Sequence, residues 1–412
     1  MQGPPIASSS PAQSGNVLEV LTVFLKLGLT SFGGPIAHLG YFRREFVDRR
    51  HWLDDEGYTD LVALCQFLPG PASSQVGFAI GLMRAGWLGG LAAWCGFTLP
   101  SVFLLIAFAA LAPDIGSGVG QGIVHGLKLV AVAVVAQAVW DMARRMCAER
   151  RRAAIALIAM ALLAVLTTVY AQLLVIVLGA LLGVVLCRDP RAEPGREPHP
   201  ALAAWCVSRA AGWGAMTLFC VLLFGLPALL AQHDVPGARL FDAFYRSGAL
   251  VFGGGHVVLP LLQERTVATG WIAPGDFLAG YGAAQTVPGP LFTFAAFLGW
   301  TISGDTHRWA GAVLATIGIF LPGLLLVIAA LPHWQSLRRR AATTAMLGGV
   351  NAAAVGLLAT ALYTPVWTSA VLSKIDFAIA ALGFLLLTRW KTPPLAVVVV
   401  CALGGVAEFM LR

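Results

Sequence analysis

Six positions recur in the same order and at identical spacing 220 residues later: Phe24, Lys26, Gly28, Phe32, Gly33 and Gly34 return as Phe244, Arg246, Gly248, Phe252, Gly253 and Gly254. Trp52 precedes Pro69-Gly70-Pro71 by the interval that separates Trp271 from Pro288-Gly289-Pro290, and Gln66 falls where Gln285 does. Pro100 pairs with Pro322 and Gly126 with Gly349. Glycine matches are cheap in a chain with 46 glycines, but tryptophan, proline and a basic residue all in register are not. The chain must therefore build one unit twice, and a site that both copies share belongs at their interface.

Hydrophobic residues make up 58% of the 412 and charged residues 11%, with a mean hydropathy of +0.80, beyond the range of soluble domains. Apolar stretches long enough to cross about 30 Å of hydrocarbon recur at 86–112, 118–143, 171–187, 212–231, 308–331, 341–363, 375–388 and 393–411. Alternation of period two is absent, so helices are expected and not a barrel. The fold class is an all-α polytopic membrane protein, and a duplicated membrane unit is a recurrent plan for transporters. The net charge of +7 lies in basic residues between the apolar stretches, which reads as topology and not as a nucleic-acid surface. Seven cysteines fall singly in or beside apolar segments without a CxxC, as buried small hydrophobes do. No metal cluster, haem pair or nucleophile and base arrangement stands out, so no cofactor and no enzymatic activity are expected.

Four regions follow: a disordered tail (1–16), a first repeat (17–187), a polar linker (188–204) containing RDPRAEPGREPHP, and a second repeat (205–412). Arg144, Arg145, Arg150, Arg151 and Arg152 follow the segment 118–143, whereas Arg338, Arg339 and Arg340 precede its counterpart 341–363. If both clusters are cytoplasmic, the equivalent helices run in opposite directions, and the repeats are inverted. Segments 153–168, 171–187 and about 205–231 supply the odd number of crossings that inversion requires. The loop with Arg43, Arg44, Arg49 and Arg50 is then cytoplasmic, and the loop with Arg265 external.

Pro69-Gly70-Pro71 and Pro288-Gly289-Pro290 interrupt apolar runs, as do Gly33-Gly34-Pro35 and Gly253-Gly254-Gly255. Each proline costs about 3 kcal/mol or more inside a helix, so the helices stop and restart. Backbone freed at membrane depth is tolerated only where protein buries it or a polar cavity hydrates it. Each half should carry two re-entrant helical hairpins or, alternatively, kinked broken helices. Ser73, Ser74 and Gln75 begin the helix after Pro71 with no acidic residue nearby, which suits an anion; capping of that helix is the other reading. Lys26 and Arg246 stand in equivalent apolar helices, as oxyanion ligands or as snorkelling anchors. His38 and His256 follow the glycine breaks at offset positions, Gln66 and Gln285 precede the prolines, and Arg84 and Asn351 complete the candidate set. Glu45 and Glu264 align and are expected to pair with Arg44 and Arg265.

The strings FxKxGxxSFGGPxAHLGYFRREFV and LVALCQFLPGPASSQVGFAIGLMRAGWLGG, with FGGGHVVLPLL and QTVPGP in the second half, resemble the chromate ion transporter family over residues 17–363. The resemblance implies a two-domain protein of the bacterial inner membrane, with halves of opposite orientation, that exports chromate and confers resistance to it. The implied partners are the lipid bilayer, a chromate- or sulfate-like oxyanion and, as an open alternative, a second copy forming a homodimer. A sulfate or other oxyanion transporter and an anion channel are the alternative functions. The second half departs from the first at His38, Pro35 and Ser73 to Gln75, where it has Val258, Gly255 and Leu291 to Phe294.

Overall fold

The computed structural model describes residues 15–115, 119–166, 171–187, 207–233, 235–334 and 341–411. Most of the expected tail, the 188–204 linker and the Arg338 to Arg340 cluster lie outside the described residues. Among the described residues every regular element is a helix.

Helix α1 (Val17–Thr30) starts where the Asn16 side chain accepts from the Leu18 N–H at 3.0 Å, and it buries the stripe Val20, Val23, Phe24, Leu27 and Gly28. It stops at Ser31 because Gly33 and Gly34 take φ of +102° and +82°, a turn that side chains disfavour. Helix α2 (Gly34–Phe42) continues as a π-helix over Arg43–Arg49. Helix α3 (Asp55–Phe67) is capped by Asp54 and ends at the Pro69-Gly70-Pro71 break, where Gly70 has φ +122°.

Helix α4 (Ala72–Ile115) reverses direction at Ala85 and Gly86, whose φ values are −142° and +66°. Its two arms pack so tightly that a Cβ on Gly81 or Gly89 would lie 2.4 or 2.3 Å from the other's carbonyl oxygen.

The ends of these helices settle the choice between hairpins and kinked spans. Arg50 and Arg84 both pair with Glu19, at 3.1 and 3.4 Å, and both guanidinium groups lie over the Trp52 ring. The Gly15 N–H donates to the Arg84 carbonyl. Residues 15–19, 50–52 and 84 therefore share one end of the molecule. The chain goes in at Glu19 and out at Arg50, then in at Trp52 and out at Arg84. Both units are helical hairpins that return to the end from which they start.

Helices α5 (Val119–Met146), α6 (Arg150–Val165) and α7 (Ala171–Leu186) complete the first half, and α8 (Arg209–Leu230) precedes the second. At 16 residues each, α6 and α7 fall just short of the length expected of a full crossing. The second half repeats the plan with α9 (Pro236–Ala249), α10 (Val258–Thr266), α11 (Pro274–Ala284), α12 (Phe294–Ile302) and α13 (Gly304–Ala330). Gly299 meets Gly311 across the turn at Gly304, as Gly81 meets Gly89. Helices α14 (Ala341–Ala361), α15 (Lys374–Thr388) and α16 (Pro394–Leu411) close the chain. Stretches Ala72–Leu111, Val119–Met146, Arg209–Leu230, Gly304–His333 and Ala342–Ala370 are long and apolar enough to cross a membrane. The protein is multi-pass.

The outer arm of α4 passes both halves in turn. Gly96 lies against Leu21 and Leu25 of α1, Ser101 against Gly289, and the Phe108 ring 5.9 Å from Phe297 of α12. The hairpins of the two halves thus approach from opposite ends and meet tip to tip. The remaining helices exchange partners: α5 packs on α15 and α16 of the second half, and α14 on α6 and α7 of the first. Small residues permit both contacts, with Gly122 and Gly126 against Gly405, Ala402 and Val406, and Gly349 against Gly179 and Gly183.

Glu45 pairs with Arg49 and Arg50, at 2.9 and 2.6 Å, and not with Arg44, whose guanidinium lies over the Tyr41 ring. The helical turn from 43 to 49 brings residues four and five positions on beside Glu45 and carries its neighbour away. Burial by itself would raise the Glu45 carboxyl, but Arg50 and Arg49 outweigh it and hold the group below its ordinary value. A depressed carboxylate stabilises the fold above its unfolded pKa and loses that contribution as pH falls through the folded value. Thermal unfolding in detergent will show an acid-side loss below about pH 4.5 in the wild type that Glu45→Gln flattens.

Candidate functional site

Four breaks meet at the centre: 31–35, 68–71, 251–255 and 286–290. The Gly70 N–H donates to the Val251 carbonyl and the Gly289 N–H to the Ser31 carbonyl, both at 2.8 Å. Gly70 and Gly289 are equivalent positions, and so are Val251 and Ser31, so each half donates from its second tip to the first tip of the other. This reciprocity is what a two-fold relation produces. A Cβ on Gly255 would lie 3.3 Å from Pro35 Cγ, which joins the remaining pair of tips.

The equivalent carbonyls Pro69 O and Pro288 O are satisfied differently. Gln75 Nε2 donates to Pro69 O at 2.9 Å and to Gly323 O at 3.1 Å, whereas the Ser101 hydroxyl donates to Pro288 O. Gly323 of α13 is the counterpart of Ser101, so losing the hydroxyl in one half is offset by an amide from elsewhere.

His38 is fully buried between tips, with Nε2 3.2 Å from the Ser31 carbonyl and Nδ1 3.4 Å from Ser73 Oγ. A carbonyl only accepts, so Nε2 carries the proton and the Ser73 hydroxyl donates to Nδ1. Ser73 Oγ therefore faces His38. Ser74 Oγ, Ser31 Oγ and Gln75 Oε1 are buried with no hydrogen-bond partner among the described residues. His256 answers His38 in the other half with a different partner, the Tyr281 hydroxyl at 2.9 Å. Gln285 lies beside that hydroxyl, and Asn351 Oδ1 stands 3.6 Å from where a Gly253 Cβ would be. Gln66 is exposed at the end of α3.

At the tips the second arm of every hairpin begins: α2 at Gly34, α4 at Ala72, the short turn before α10 at Gly255 and the one before α12 at Leu291. First-turn N–H groups have no acceptor within their own helix, and each start carries the positive end of a helix dipole. The opposing carbonyls of Ser31, Pro69, Val251, Pro288 and Pro290 are already occupied by protein donors. Beside them stand the first-turn amides, the Ser31 and Ser74 hydroxyls and the Gln75 Oε1 acceptor.

The three candidate cations are not at these tips. Lys26 lies on the exposed outer stripe of α1 with Leu25 and Leu29. Arg84 is held by Glu19 and Trp52 at the outer end. Arg246 turns back one helical turn to Asp242, with its Nε 3.0 Å from Oδ1, where the first half has Thr22. Removing Arg246 strands a half-buried carboxylate. Arg246→Ala will lower stability by about 1–3 kcal/mol, and Asp242→Asn in the same chain will recover most of it in a detergent melt.

A family model described as chromate transporter matches residues 18–184 and again 238–406. The chain belongs to the chromate transporter family. Members are transporters and not enzymes. It is 29% identical to the chromate transport protein of Pseudomonas aeruginosa, over 94% of this chain and 90% of the relative. It is 28% identical to a probable chromate transport protein of Synechococcus elongatus, over 94% of each. An uncharacterized transporter of Bacillus subtilis is 30% identical over 180 residues, 41% of this chain but 87% of its own. That relative has about the length of one repeat. No solved structure matches the transporter.

The same architecture holds a second constellation that the sequence reading passed over. His125 of α5, Asp376 of α15 and Glu408 of α16 come together beside a cavity of about 650 Å³. None of the three has an equivalent in the other half, and the reading followed residues that recur. An ionisable side chain inside an apolar run was the available signal, most visibly Glu408 in VVVVCALGGVAEFML.

Proposed function

We propose that the protein exports chromate, a tetrahedral oxyanion, from the cytoplasm across the bacterial inner membrane. The observation that carries this reading is the meeting of four helix starts at one buried centre where the Ser31, Pro69, Val251, Pro288 and Pro290 carbonyls are already engaged. Such a centre offers N–H and O–H donors to an anion and little to a cation. The resemblance in sequence to chromate transport proteins supplies the substrate class. With the cytoplasm negative, moving a dianion outward is favoured by about 4.6 kcal/mol per 100 mV, twice the single-charge value.

Hairpins from opposite ends support inverted repeats, with the Arg43 to Arg50 end in the cytoplasm. Alternating access then exposes the tips to each end in turn. Because α5 and α14 are each packed on the other half, the bodies that move are not the two sequence halves.

The test is uptake of radiolabelled chromate into inside-out vesicles under an imposed potential, with sulfate as competitor. Saturable accumulation is expected. Ser74→Ala removes one hydrogen bond to a charged ligand, about 1.5–3 kcal/mol, and will raise the apparent KM by about tenfold or more. Lys26→Ala, whose side chain points outward, will leave it within about twofold. Absence of chromate accumulation under any gradient would remove this function, and an unsaturable flux would make the protein a channel.

A further inference from the structure

The His125, Asp376 and Glu408 cluster lies at the end of the molecule from which the second-half hairpins enter, since its cavity is also lined by Asp276 of α11 and Phe297 and Thr301 of α12. Asp376 is fully buried and Glu408 is 3% exposed. One oxygen of Asp376 accepts from the Leu372 and Ser373 N–H groups at 2.9 Å, as part of the capping box of α15, and the other lies 2.5 Å from His125 Nε2. Asp376 is thus a fixed anion. Glu408 accepts from the Ser373 hydroxyl at 2.8 Å, has a carboxylate oxygen within 4.8 Å of one of Asp376, and has its second oxygen 3.7 Å from His125 Nε2. Like charges this close repel one another.

The fold does not demand this cluster. By position in their helices, Arg152 of α6 corresponds to Asp376, each being the third residue after its cap. Gly348 stands where His125 does, three residues before Asn351. Arg152 lies over Gly348, its Nε 3.6 Å from where a Cβ would be, and Leu186 of α7 takes the place of Glu408. One end of the pseudo-symmetric pair is basic and the other acidic.

The other charged groups facing the cavity are Lys128 of α5 and the exposed Asp276; Lys374 at the start of α15 is exposed beyond the cap. With Glu408 and Asp276 opposite Lys128, and Asp376 behind them, the cavity disfavours a dianion. His125 Nε2 and Asp376 Oδ1 are in direct hydrogen-bond contact at 2.5 Å. A mechanical route to the tips is also in place. Leu127 lies between His125 and Lys128 on α5, and its carbonyl oxygen is 2.2 Å from where a Gly282 Cβ would be, three residues before Gln285. On its opposite side α5 rests on Gly405 of α16, one turn from Glu408.

Building on the proposed export of chromate, we propose that His125, Asp376 and Glu408 form a proton-carrying site, with Glu408 as the acceptor, loaded from the external cavity and coupled through α5 to the tips. Protons entering there would exchange for the outgoing dianion.

Full-length protein in proteoliposomes with a lumenal pH dye tests this. In the wild type, chromate movement will be accompanied by counter-movement of protons, and each pH unit across the membrane will change chromate accumulation about tenfold per coupled proton. Glu408→Gln and Asp376→Asn will lose both effects while chromate–chromate exchange at equal pH persists, which reports a folded protein that still binds anion. Glu264→Gln is the control, because Glu264 stands on α10 and does not line the cavity; its coupling will be unchanged. Wild-type exchange without proton movement, or coupling that survives Glu408→Gln, overturns the proton site and leaves the export reading intact. Infrared spectra of the purified protein decide the site even if chromate is not the substrate: a protonated-carboxyl band lost in Glu408→Gln supports it, and its absence from the wild type overturns it.

Discussion

Gly289→Val will leave almost no transport-competent protein, measured as monodisperse material on gel filtration and as vesicle uptake. Gly289 has φ +98°, and a Cβ there would lie 2.2 Å from Ser101 Oγ and 3.2 Å from the Phe97 carbonyl. A branched residue in that conformation costs about 1–3 kcal/mol. Displacing Ser101 strands the Pro288 carbonyl that it satisfies, for about 1–3 kcal/mol more. The same shift breaks the Gly289 to Ser31 bond that joins the two halves. Together these losses reach much of the 5–15 kcal/mol that holds a typical fold together. Gly70→Val should be milder, because its φ is +122° but its closest neighbours, Gln75 Nε2 and Gly323 Cα, stand 3.0 Å from the added carbon.

Gly126→Leu will have the second largest effect, of about 3 kcal/mol or more. A Cβ at Gly126 would be 2.5 Å from Ala402 Cα and from the Cys401 carbonyl oxygen, all on α16. Lipid gives no hydrophobic drive for helix association, so close approach of backbones is what holds this pair. A leucine there forces α16 away from α5 and with it Glu408 away from His125. The check is a melt in detergent, with Leu157→Ala, on the exposed face of α6, as a neutral comparison.

How much of this was legible in the sequence depends on whether the physics is local. The breaks at Gly33-Gly34 and Pro69-Gly70-Pro71 were legible because glycine and proline constrain their own backbone whatever surrounds them. Sequence left hairpins and kinked spans as alternatives, since that choice turns on Glu19, Arg50, Trp52 and Arg84 meeting across 65 positions. Lys26 and Arg246 looked equivalent by spacing, yet one faces outward and the other an aspartate, because Thr22 and Asp242 differ one turn earlier. Spacing reports the backbone position and not the neighbour. The Ser73 to Gln75 stretch was noticed as a polar helix start, while its partners His38 and Gly323 come from two other segments. The acidic cluster was missed for the same reason, as 251 positions separate His125 from Asp376.

The exchange of helices between halves also sets an order of assembly. Helix α5 is synthesised early, but the surface that covers Gly122 and Gly126 belongs to α16, which emerges far later. Until then the first half is inserted but unfastened, with a small-residue groove facing lipid. A chain truncated before Pro394 therefore lacks the clasp of its amino-terminal half, although the damage lies at the other terminus.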